Sequence, residues 1–198
     1  MNDIILRKGG VMGKKLNAVL SLGIIASVLT HIVYEIFAYL TFYYNPVLTK
    51  IIAFTTLGLA GLHALCSAGL LFFAHDRGNG MRYPKLNART LIQRVSAAAM
   101  VLMIVPHINN FKILSSLAGS NRVLFYVVLF SQLLFYAAVL IHVAVSVSRA
   151  FISLGLVSTG KAVRAIDITV WILCSGLFAA ASVAVLRTQI SMFAGGAS

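Results

Sequence analysis

At 198 residues the chain has the length of one soluble domain, yet 60% of it is hydrophobic, only 10% is charged and the mean hydropathy is +0.96. Soluble domains carry roughly a quarter charged residues, so that class is excluded and an integral membrane protein is expected. Lys and Arg number 16 against 4 Asp and Glu, a net +12, but these positives sit in loops between apolar runs, which marks topology and contact with anionic lipid, not a nucleic-acid interface.

In chain order, the N-terminus carries Arg7, Lys8, Lys14 and Lys15 ahead of an apolar run too long for the core of a cleaved signal peptide, so it reads as a retained first helix. Five apolar segments follow, at about 16–42, 47–74, 91–111, 123–148 and 166–186. Each exceeds the roughly 20 residues needed to cross hydrocarbon. Asn45-Pro46 breaks the first connection, and 75–90, with Gly78, Gly80 and Pro84, forms the most polar loop. The 109–122 connection is longer than a turn requires and has room for a short interfacial helix. Cys66 and Cys174 lie inside apolar runs and read as small packing residues. The predicted fold is an all-α membrane protein of five transmembrane helices in one domain, four of them forming a haem-binding bundle.

Charge then predicts orientation. With the N-terminus cytoplasmic, twelve Lys and Arg fall inside (residues 7, 8, 14, 15, 77, 82, 85, 89, 94, 149, 161 and 164) and four outside (50, 112, 122 and 187). That bias places the N-terminus in the cytoplasm and the C-terminus beyond a cytoplasmic membrane.

Four of the five histidines lie deep in separate apolar runs: His31, His63, His107 and His142. In this topology His31 and His107 fall nearer the outer face, and His63 and His142 nearer the inner one. The two layers should be about 15 Å apart at ~1.5 Å per residue. Two imidazoles facing at one depth make a six-coordinate b-type haem site with no position left for oxygen chemistry. Two such haems form an electron path through the bilayer. His63 and His142 are thus the expected ligands of an inner haem iron, and His31 and His107 of an outer one. A lone membrane histidine can also serve interhelical hydrogen bonding or a proton path; the layering favours ligation. His75, beside Asp76 and Arg77, reads as an interfacial residue instead.

A porphyrin needs small neighbours, and Ser27, Ala60, Ser67, Ala138 and Ser146 lie about one turn from the histidines. Ser96, Met100 and Met103 share the face of His107, making Ser96 a candidate haem contact. Pro106 is expected to kink the end of the third helix. Arg149, seven residues after His142, is a candidate partner for an inner haem propionate or simply a positive-inside residue. Arg94 points away from the face of His107 and reads as an interface charge. Glu35, one turn beyond His31, is either a base accepting the proton of a quinol or a snorkelling end residue.

These stretches resemble a family. LIQRVSAAAMVLMIVPHI, GLHALCSAGLLFFAH and LIHVAVSVSRAFISLGLVSTGKAVRAID are similar to the di-haem cytochrome b membrane anchor of succinate:quinone oxidoreductases and quinol:fumarate reductases, in order and over most of the chain. The resemblance implies the same pairing, His63 with His142 and His31 with His107. It also implies a docked iron–sulfur subunit and an FAD-containing flavoprotein on the cytoplasmic face, which hold the dicarboxylate site. This chain would pass electrons between the clusters and a membrane quinone, menaquinone first among the candidates. Ala97 stands where many members have glycine. Leu140 stands where some fumarate reductases carry a glutamate of a proton route, which puts that route in doubt here. The oligomeric state stays open, a dimer of complexes included. The rival readings are another quinone-linked di-haem membrane cytochrome and a small histidine-based proton-coupled transporter.

Overall fold

A computed structural model describes the backbone of residues 2–73 and 84–193 and the side chains of 12–70 and 88–193. His75 and most of the 75–90 loop lie outside the described residues. The described chain is all-helical: α1 (Asn2–Thr41), α2 (Pro46–Phe73), α3 (Pro84–Ile108), α4 (Asn110–Leu117), α5 (Arg122–Leu154) and α6 (Gly160–Phe193). Five of these are long and apolar enough to cross a membrane. Their outward faces keep large apolar side chains uncovered, Leu65 at 73% and Leu102 at 77% exposure among many. Such surfaces are untenable in water and natural against lipid tails.

The helices overrun the apolar segments. α1 begins at Asn2, not near residue 16, and α3 begins at Pro84, not near 91; α5 and α6 extend beyond 148 and 186. Hydropathy marks where hydrocarbon would end, whereas a helix continues until a cap or breaker stops it. The stops are visible. Asn45 Oδ1 accepts from the N–H groups of Val47 and Leu48, both at 3.1 Å, with Pro46 opening α2. Asn121 accepts from Leu124 N–H at 3.0 Å to start α5, and Gly155, in the left-handed region at φ 74, ends it. The expected short helix is α4, set after the break at Asn109. Pro106 lies inside α3 without ending it.

Packing is centred on α5, which touches α1, α3, α4 and α6. The four histidine-bearing helices form a row, α2–α1–α5–α3, in which neighbours pack and α2 makes no close backbone approach to α3 among the described residues. The sixth helix lies against α1 and α5. Its seam with α5 uses small side chains, Ala144 and Cys174 among Leu140, Val143 and Val147, which let two helices approach where no hydrophobic effect drives them together. Cys174 is thus a packing residue, as expected. A second cluster, Leu114, Phe125, Leu129 and Val185, closes the other end and seats α4.

Candidate cofactor site: two couples of histidines

The four histidines come together in two couples. His31 interacts electrostatically with His107, and His142 with His63. Neither couple lies along a helix seam. The backbones of α1 and α3 make no close approach, nor do those of α2 and α5, so each couple joins helices that are not packed neighbours.

The couples stand at two levels. The lower one, nearer the amino end of α1, is marked by Ser21, Ser96 and His142; the upper one by His31, His107 and Gln132. Along α1, α3 and α5 these marks are 10, 11 and 10 residues apart, and ~1.5 Å per residue makes each interval about 15 Å.

Hydrogen bonding fixes how three of the rings present themselves. His142 Nδ1 is 3.0 Å from the Gln93 carbonyl oxygen. A carbonyl only accepts, so Nδ1 carries the hydrogen and Nε2 holds a bare lone pair. Ser96 Oγ, 3.2 Å away, gives its own hydrogen to the Ile92 carbonyl and accepts from the same ring atom. Ser21 donates to the Asn17 carbonyl at 2.7 Å and so accepts from His63 Nδ1 across a long 3.4 Å. His107 Nδ1 donates to Gln132 Oε1 at 3.1 Å. His31 differs: its Nδ1 is buried without a hydrogen-bond partner.

Nδ1–H held by an oxygen and Nε2 left as the donor atom is the tautomer that metal-ligating histidines adopt. The donor set therefore fits iron porphyrin. No group of three or more His, Cys, Asp or Glu forms a conventional metal cluster among the described residues, and a haem iron with two axial imidazoles needs none.

No protein-family profile, curated protein or solved structure matches this chain.

The remaining predicted residues are placed as follows. Ser96 lies against His142, at the lower level and not beside His107, because eleven residues of helix separate it from His107. Arg149 is taken up by α3: its guanidinium donates to Gln93 Oε1 at 2.9 Å and to Thr90 Oγ1 at 2.8 Å. Ser27 and Ser67 serve the α1–α2 seam, through Thr56 at 2.7 Å and Asn17 at 2.9 Å. Ser146 accepts from the Gln93 amide at 3.0 Å.

Glu35 has one carboxylate oxygen buried without a partner. It interacts electrostatically with Tyr39 and Tyr136, and the Tyr136 ring stands edge-on to His107 at 6.0 Å. Gln189, fully buried on α6, donates to Tyr39 Oη at 3.3 Å and keeps its own Oε1 unpartnered. Glu35 thus belongs to a polar group beside the upper couple.

Three residues escaped the sequence reading. Gln132 is one; an uncharged amide in the middle of an apolar run was the available signal. Arg89 and Asp167 are the others, joined by a bidentate ion pair at 2.9 and 2.7 Å. Arg89 also donates to the Val145 carbonyl at 3.0 Å and to Ser148 at 2.6 Å, tying α3, α5 and α6 together.

Proposed function

We propose that this chain is a membrane-anchor cytochrome b that carries electrons between a membrane quinone and the iron–sulfur subunit of a succinate dehydrogenase or fumarate reductase complex. The observation that carries the reading is the pair of histidine couples about 15 Å apart, each with Nδ1 hydrogens turned to the protein wherever a partner exists. Two haem b groups, when bound, supply one-electron relay through the bilayer. His63 and His142 would hold the inner one and His31 and His107 the outer one. The inner level is assigned from the positive-inside bias, which puts the N-terminus in the cytoplasm.

Glu35 would take the proton released when a quinol is oxidised near the outer couple. Its unpartnered oxygen, with Tyr39 and Tyr136 close by, supports that role. Arg149 serves chiefly to fasten α5 to α3, with its remaining N–H groups free to meet a propionate. FAD and the iron–sulfur clusters would reside on subunits docked at the cytoplasmic face, and the family resemblance of the sequence is what supports them.

The spectrum of the protein purified from its membrane tests the proposal. Dithionite reduction is expected to produce a b-type α band with two haems per chain. A colourless protein would favour the histidine-based transporter instead. Glu35→Gln is expected to keep both haems while slowing quinol oxidation by about 10²–10⁴-fold, the usual worth of a positioned base. Stopped-flow haem reduction by quinol checks this, and an unchanged rate removes Glu35 from the reaction.

A further inference from the structure

Gln132 is 1% exposed and sits about a third of the way along α5. A buried amide in an apolar helix is costly unless its groups are used. Its Oε1 receives the His107 Nδ1 hydrogen at 3.1 Å. One turn on, Phe135 lies nearly flat on the same imidazole, with centroids 4.4 Å apart and planes at 25°, and Tyr136 meets it edge-on. Positions i, i+3 and i+4 share a helix face, so a single turn of α5 grips the His107 ring on three sides.

The two levels are not equivalent. In the lower couple both rings find an oxygen acceptor, Ser21 for His63 and the Gln93 carbonyl with Ser96 for His142. In the upper couple His31 Nδ1 has none. Among the described residues Gln132 is therefore the one polar contact that orients either upper ring.

We propose that Gln132 is a positioning residue that fixes the tautomer and pitch of His107 and sets the donor strength of its Nε2 toward the upper iron. This rests on the di-haem reading above. An acceptor on Nδ1–H makes the imidazole a stronger base, which stabilises the oxidised metal and lowers its potential. Phe135 and Tyr136 hold the ring plane, and Gln132 holds its rotation within that plane.

The test is a redox titration of the purified, haem-loaded full chain, with each haem followed by its low-temperature spectrum. The upper haem is identified as the one missing from the His107→Ala protein. In Gln132→Leu its midpoint potential is expected to rise, and its affinity in haem titration of depleted protein to fall about 10- to 100-fold. In Gln132→Glu, which keeps the size and offers a stronger acceptor, the potential is expected to fall below wild type. The lower haem should hold its potential in both variants. A purely structural role would not give opposite signs for the two substitutions. Shifts of one sign, or an unmoved upper haem, overturn the inference, and Gln132→Glu alone decides it if Gln132→Leu does not assemble. A wild-type protein without b-type haem fails the functional proposal itself; two normal haems that ignore Gln132 sink only this inference.

Discussion

On the proposed di-haem reading, His107→Ala is expected to leave one haem in place of two, the survivor being the one His63 and His142 would hold. The upper couple loses half of its iron ligands, and no other imidazole among the described residues stands at that level to replace it. The lower couple lies about 15 Å away along three different helices, far enough for the change to be felt weakly there. Some stability is lost as well. Gln132 Oε1 gives up its donor, at a cost of about 1–3 kcal/mol for a buried polar group left unpaired, and Phe135 loses the ring stacked on it. A haem-to-protein ratio from the pyridine haemochrome, with reduced spectra, checks the result. Two haems retained would refute the pairing, and none retained would refute the independence of the levels.

Arg89→Ala is expected to be the most destabilising change outside the histidines. The guanidinium makes four hydrogen bonds, two to Asp167, one to Ser148 and one to the Val145 carbonyl. Side-chain exposures of 33% and 25% set the pair between a surface bridge and a buried one. The loss should therefore lie between the roughly 1 kcal/mol of an exposed pair and the about 3–5 kcal/mol of breaking a buried pair. Most of the effect comes from the Asp167 carboxylate losing its two-point partner at 2.9 and 2.7 Å. Joint replacement, Arg89→Met with Asp167→Leu, should recover much of the stability, because no charge is then stranded. Thermal unfolding in detergent measures both; a double variant as weak as Arg89→Ala would contradict this account.

Apolar run length marks five helices long enough to cross a membrane, and four deep histidines mark two levels, because both signals are written along single helices. Contacts between helices were less legible. Arg89 and Asp167 lie 78 positions apart, and nothing in either helix alone says that both lean on the same stretch of α5. Arg149 shares a face with His142, which suggested a propionate, yet its length lets it reach back to Gln93 and Thr90 of α3. Ser96 was matched to His107 by helical angle, while its height along α3 belongs to His142. Ser27 and Ser67 were read as small, but their hydroxyls stitch α1 to α2. Gln132 carries no charge and so leaves a fainter mark in the sequence than an ionisable group, although an amide in hydrocarbon also needs a partner.

The second helix touches only the first among the described residues, yet it brings His63 to a ring on α5. Apart from that ring, its hold on the bundle is the α1 seam, with the Ser27–Thr56 and Ser67–Asn17 contacts. On the di-haem reading proposed above, coordination would be the stitch that joins this helix to α5, coupling cofactor insertion to completion of the tertiary structure.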